Sequence, residues 1–186
     1  QLPALALAWL FYLSLAVAVQ DFTGFQWDNL LLETGLFALF IAPLKTFVRF
    51  PAAREPSRFG LFMLRWLLFR LMFSSGLVKL TSGDVTWHNL TALQVHYETQ
   101  CLPTWVAWYA HQLPGWFQKV SAIVMFGIEL VLPFLIFLPR KLRLTACAGF
   151  VALQVITMFT GNYGFFNLLT IVLCVLLIDD LAWPAR

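Results

Sequence analysis

Six stretches of the chain are apolar over most of their length: residues 2–20, 23–44, 59–80, 119–138, 142–160 and 165–178. Short polar connectors separate them, apart from one long polar segment between 81 and 118. About twenty apolar residues are needed to cross a hydrocarbon core. The pattern therefore predicts an all-α fold, a polytopic transmembrane helical bundle of five or six spans in a single transmembrane domain. The count turns on the last stretch, which is short and follows a break at Gly161-Asn162-Tyr163-Gly164. Within the long connector, residues 104–119 place Trp105, Trp108 and Tyr109 at helical spacing, followed by His111, Pro114, Trp116 and Phe117. Such a segment reads as an interfacial aromatic helix, because amphipathic rings favour the headgroup region. An aromatic face packed on protein is the other reading.

Composition agrees with a membrane protein. Of 186 residues, 61% are hydrophobic and 11% charged, against about 45–50% and about 25% in soluble domains. A net charge of +3, with the aromatic residues lying in apolar runs, excludes nucleic-acid binding. The chain opens on Gln1 and closes on Arg186 just past an apolar run, so it is expected to be a fragment of a longer chain. No signal peptide is expected, since residues 2–19 are too long for an h-region and lack a basic leader. Cys147 and Cys174 fall in apolar runs, where a thiol acts as a small hydrophobe. Cys101 alone lies in a polar loop, so no intrachain disulfide is expected, and an intermolecular one stays open.

Basic residues set the orientation. Lys45, Arg49, Arg54 and Arg58 lie between the second and third spans, and Arg140, Lys141 and Arg143 between the fourth and fifth. Two crossings separate these connectors, which places both on the cytoplasmic side. Residues 21–29, 81–118 and 161–163 then face the lumen. The lumenal loop carries an N-glycosylation sequon at Asn89-Leu90-Thr91.

Charges within spans are costly and mark candidate sites. Glu33 precedes Pro43 by ten residues, as Glu129 precedes Pro139, and Lys45 and Lys141 follow their prolines by two. Counted from the cytoplasmic ends, both glutamates lie about 15 Å deep and Arg70 about 16 Å deep. Arg70 is therefore expected to pair with Glu33 or Glu129, either as an inert packing pair or as a coupling site. Arg65 is close enough to its boundary to snorkel. Pro133 cannot donate to the carbonyl of residue 129 and frees an acceptor beside Glu129.

The segment from Ser74 to Gln100, SSGLVKLTSGDVTWHNLTALQVHYETQ, begins as a membrane helix and ends among titratable groups. Lys79 is expected at the lumenal edge, within reach of Asp28. The loop that follows, with Asp84, Trp87, His88, His96, Tyr97, Glu98 and Gln100, is expected to return to the same rim. Acid, base and cation at a low-dielectric boundary suit three roles: holding a polar headgroup, transferring a proton, or anchoring the loop. His88, His96 and His111 lack zinc-type spacing, so no metal is expected. Neither a Walker motif, a dinucleotide fingerprint nor a nucleophile elbow occurs, and no cofactor is expected. Cys101 lacks the setting of a nucleophile.

The blocks FQWDNLLLETG, RWLLFRLMFSSGLVKLTSGDVTW, LTALQVHYETQCLPTWVAWYAHQLP and TGNYGFFNLLT, with the later IDD, resemble the lipase maturation factor family from about Phe11 to Asp180. That resemblance implies a multi-pass protein of the endoplasmic-reticulum membrane that helps secreted lipases fold and assemble. Its implied partners are membrane lipids and secretory clients, with a client-engaging lumenal region beyond this chain. On this reading Lys79, Asp84, Trp87, His96, Tyr97 and Glu98 organise the lumenal loop. More distantly, SGLVKL at residues 75–80 followed by Trp87 is similar to an element of the vitamin K-dependent gamma-carboxylase membrane domain. There the matching lysine is the base acting on a reduced quinone, which makes Lys79 the candidate catalytic residue. Two functions follow: a non-enzymatic folding factor first, and as its alternative an enzyme or lipid- or quinone-binding protein with a pocket around Lys79.

Overall fold

The computed structural model describes residues 1–43, 56–100 and 102–179. Lys45, Arg49, Arg54, Cys101 and Asp180 lie outside the described residues. The described residues are helical, without strands. They form two compact units, Gln1–Leu67 and Leu68–Arg186.

In the first unit, α1 (Leu2–Val19) and α2 (Gln26–Ala38) are joined by a 3-10 turn at Gln20–Thr23. The Trp9 indole donates to the Leu32 carbonyl at 2.8 Å. Gly35 admits that ring, since a Cβ there would stand 2.9 Å from Trp9 Cδ1. One turn along α1, Tyr12 Oη donates to the buried Asp28 carboxylate at 2.5 Å. The span expected over 23–44 is shorter as a helix. It starts three residues late and tightens into turns after Ala38, where Phe40 N donates to the Phe37 carbonyl and Ile41 N to that of Ala38. The cause is the approach to Pro43, whose ring disfavours helical geometry in the residue before it. The unit closes with the first turns of α3 (Arg58–Thr81), where Phe59 meets Phe40 edge-on at 5.5 Å.

The second unit is built on the rest of α3, α7 (Gly115–Leu130), α8 (Arg140–Thr160) and α9 (Phe166–Val175). Helix α7 begins four residues earlier than expected, because Pro114 supplies a proline N-cap that the chain enters in extended geometry. It ends before Pro133 and continues as a 3-10 segment, Leu132–Phe137, as a proline without a donor requires. Among the described residues, four helical stretches are long and apolar enough to cross a membrane: Leu2–Val19, Arg58–Thr81, Gly115–Phe137 and Arg140–Thr160. Helix α9 is apolar but has only ten residues. It nevertheless runs back along most of α8. Its end is held where Arg143 Nε donates to the Leu177 carbonyl at 3.0 Å, and Asp179 pairs with Arg143 at 2.9 Å and Arg140 at 3.0 Å. Between these ends, Asn167 donates to Thr157 Oγ1 at 3.1 Å, and Gln154, Asn167 and Thr170 are buried. Buried amides and hydroxyls between apolar helices act as hydrogen-bonding glue where water is absent.

The segment between α3 and α7 forms three short helices: α4 (Val85–His88), α5 (Ala92–Thr99) and α6 (Trp105–His111). They cover the end of α8 remote from Arg140, Lys141 and Arg143. The unit thus has a basic end and a capped end.

Candidate functional site

Helices α3 and α7 meet along one face of α3. Phe69 lies 5.4 Å from Phe134 and 5.6 Å from Phe137, and Phe73 lies 5.5 Å from Phe134. Two turns on, Gly76 presses against α7, since a Cβ there would stand 3.1 Å from Glu129 Cβ and 2.7 Å from Leu130 Cδ2. Residues three apart share a helix face, so Lys79 follows Gly76 onto α7. Its Nζ lies 2.7 Å from both Glu129 oxygens, donating to each, and 3.3 Å from the Ser75 carbonyl. The side chains are 22% and 8% exposed. This is a shielded, bidentate ion pair.

Arg70 was expected to pair with Glu33 or Glu129, and the Glu129 carboxylate is engaged by Lys79. Depths counted separately on α3 and α7 set Glu129 level with Arg70, whereas the phenylalanine contacts and Gly76 set it level with Lys79, nine residues, about 13 Å, further along α3. Asp28, which the sequence places within reach of Lys79, belongs to the other unit and takes a hydrogen bond from Tyr12. Lys79 thus lies beside a carboxylate about 21 Å along α7 from Gly115, against Trp87 of the short helices. Arg70 and Glu33 belong to different units, and their pairing remains a proposal drawn from sequence.

Gly83, at φ 75°, turns the chain off α3 into α4. Asp84 caps α4, accepting from Thr86 N at 2.9 Å and Thr86 Oγ1 at 2.8 Å. These two donors hold its carboxyl below the usual carboxylate range. The cap aims Trp87 inward, 5.9 Å edge-on from Phe126 of α7 and 5.6 Å from Lys79 Nζ. That is within cation–π reach. Trp87 therefore closes the ion pair off on the capped side. Asn89, at the end of α4, is exposed.

His96, Tyr97, Glu98 and Gln100 stand on or just after α5, but they do not converge on Lys79. The His96 ring stacks on Tyr163 with centroids 6.1 Å apart, and His96 Nε2 lies in hydrogen-bond contact with Tyr163 Oη at 2.9 Å and with the Gln100 amide nitrogen at 2.5 Å. Gln100 also donates to the Thr160 carbonyl at 3.1 Å. Burial holds the His96 imidazole below its ordinary value and raises the Tyr97 and Tyr163 phenols. All three stay neutral at neutral pH. Glu98 instead faces His111 of α6 at 3.6 Å. The titratable residues of the loop thus divide into three sets: Lys79–Glu129–Trp87, His96–Gln100–Tyr163, and Glu98–His111. Among the described residues no group of three His, Cys, Asp or Glu is placed to hold a metal ion.

Gly76, Phe126, Thr160 and Tyr163 are the members that sequence reasoning passed over. Gly76 had a signal, a small residue in an apolar helix one turn before a lysine, since small residues let membrane helices approach closely. Tyr163 had been seen only as part of a break.

The family model described as the lipase maturation factor transmembrane domain matches residues 1–185. The chain is 54% identical over 177 residues to lipase maturation factor 2 of Xenopus tropicalis, covering 94% of this chain and 25% of that protein. It is 50% identical over 183 residues to lipase maturation factor 2 of Homo sapiens, covering 94% and 26%. Identity to lipase maturation factor 1 of Mus musculus is 39% over 174 residues, covering 94% and 30%. The chain thus spans about a quarter of the length of the lipase maturation factor 2 proteins that it matches. No solved structure matches.

Proposed function

Since the chain belongs to the lipase maturation factor family, we propose that it is the membrane portion of a multi-pass endoplasmic-reticulum factor that assists the folding and assembly of secreted lipases. The observation that carries this reading is the polarity of the second unit. Arg140, Lys141 and Arg143 lie at one end of α8, and α4 to α6 are fastened to the other through Gln100, Thr104 and His96. With the basic end cytosolic, the cap faces the lumen, where secretory clients fold. Its role is to present a rigid surface continuous with the lumenal region of the full protein. Lys79 supports this reading over catalysis. Its Nζ is held on both oxygens of Glu129 and on the Ser75 carbonyl, contacts that would have to break before it could reach a substrate.

The test is rescue in cells lacking the endogenous factor. Full-length protein carrying Gln100→Ala and Tyr163→Phe together should reach the endoplasmic reticulum at normal levels. The amount of active lipase secreted should fall, with lipase synthesis unchanged. Full rescue by that variant would refute a role for the cap, and protease mapping that put the cap in the cytosol would refute the orientation. If the cap is lumenal, Asn89 is available to oligosaccharyltransferase, and an endoglycosidase shift lost in Asn89→Gln is the expected sign.

A further inference from the structure

From Leu102 to Gln118 the chain contains no Lys, Arg, Asp or Glu, yet it holds Trp105, Trp108, Tyr109, Trp116 and Phe117. Helix α6 bridges the ends of two spans. At its start Thr104 Oγ1 donates to the Phe159 carbonyl of α8 at 2.6 Å, and at its finish Gln118 of α7 donates to the Ala110 carbonyl at 2.5 Å. Its inner side is Ala107, fully covered, while Trp105 is 78% exposed and Trp116 67%, with Trp108 and Tyr109 exposed between them. Among the described residues none of the three indole N–H groups, nor the Tyr109 hydroxyl, has a hydrogen-bond partner. The spans that α6 bridges expose apolar side chains of their own, Ile123 and Val124 on α7 and Ile156 and Phe159 on α8.

We infer that the α6 face and the first turn of α7 are a lipid-docking surface, inserted into the headgroup–acyl boundary of the leaflet on the capped side. Three observations select lipid over a protein client. The patch is tied to the ends of two spans whose own apolar side chains are exposed. Its height is right, because Phe159 lies about 28 Å along α8 from Arg140, near one limit of a core about 30 Å thick. Its chemistry is that of the interfacial belt, with apolar ring bodies and outward donors suited to ester carbonyl and phosphate oxygens. Formal charge is confined to the border of the patch, where the exposed Lys119 follows Trp116 by three residues; docking therefore depends mainly on the acyl boundary, with anionic headgroups adding little. The consequence is that the cap is tethered to the bilayer as well as to α7 and α8. It therefore cannot lift away from the Lys79–Glu129 pair without drawing the Trp105 and Trp108 indoles through the headgroups.

The test is site-specific photo-crosslinking in the full-length protein, reconstituted with radiolabelled phosphatidylcholine. Benzoylphenylalanine replaces Trp105, Trp108 or Trp116 in turn, with the span position Ile123 as positive reference and the buried Phe150 as negative. The expected result is phospholipase-sensitive lipid adducts from at least two tryptophan positions, within about twofold of the Ile123 yield, since both would sit in the same amphipathic phase. Yields should change little when phosphatidylserine is added. Adducts to another protein would overturn the inference in favour of a client surface. An absence of adducts at all three positions while Ile123 reacts would show that the face is in water. A several-fold rise in yield with phosphatidylserine would overturn docking governed mainly by the acyl boundary.

Discussion

Replacing Lys79 by Met removes the only cation seen at the Glu129 carboxylate among the described residues, and Glu129 is then left with 8% of its side chain exposed. Breaking one side of a buried ion pair costs about 3–5 kcal/mol, whereas replacing both sides with apolar groups is near neutral. Lys79→Met should therefore lower unfolding stability in mixed micelles by that amount, and Lys79→Met with Glu129→Met should restore most of it. A double variant as unstable as the single one would mean that the lysine acts through something other than this carboxylate. His96 makes a prediction of a different kind. Its folded form is neutral and its pKa is depressed by burial, while the unfolded chain takes up the proton near pH 6.5. Stability should then be complete above that value and fall as pH drops below it, until the folded form also protonates. Tyr163, Tyr97 and Gln100 face the ring and none supplies a negative charge at those pH values. Thermal midpoints at pH 7.5 and 5.5 should differ for the wild type and converge in His96→Gln.

Helix register is the next scale, and Gly76 decides it between α3 and α7. A Val at this position brings Cβ to 3.1 Å from Glu129 Cβ, as well as into Leu130. Leu130 can turn aside, but Glu129 Cβ cannot. Overpacking of this kind costs about 1–3 kcal/mol, and Gly76→Val should also separate Lys79 from Glu129. Combined with Lys79→Met it should cost less than the sum of the two, which a double-mutant cycle measures. At the cap, Thr104 both accepts from Ala107 N and donates to the Phe159 carbonyl. Thr104→Ala should cost about 1–2 kcal/mol and increase proteolysis between α5 and α7. The helices themselves were largely legible: α3 and α8 lie within two residues of their expected starts and one of their expected ends, because long apolar runs between basic connectors have few alternatives. Pro133 broke α7 as its missing donor requires. The ends that went astray, at Ala38 and Gly115, were governed by Pro43 and Pro114, whose effects on neighbouring residues are easy to underweight inside apolar sequence.

Across the whole molecule, the asymmetry between the basic end of α8 and the aromatic capped end underlies both the proposed membrane orientation and the proposed lumenal role. The expectation is specific: reversing Arg140, Lys141 and Arg143 to Glu should both break the Asp179 clamp and scramble insertion, seen as mixed protease protection of the cap. A charge-neutral change at the aromatic face, such as Trp105→Ser with Trp108→Ser, should leave insertion direction alone.

The amino-acid sequence by itself determined the class of this protein, its helical spans, the separation of basic connectors from the polar loop, and the family resemblance. Each is a property of composition and of order along the chain, readable at the scale of a helix turn or a span. Which charge meets which was decided only by the tertiary structure. Depth counted along separate helices cannot reveal how far one has slid past another, and that slide depends on close contacts: a glycine against Glu129, phenylalanines against Phe134 and Phe137. The same holds for the cap, where histidine, glutamate and lysine, near one another in sequence, are drawn apart because each finds its partner on a different element.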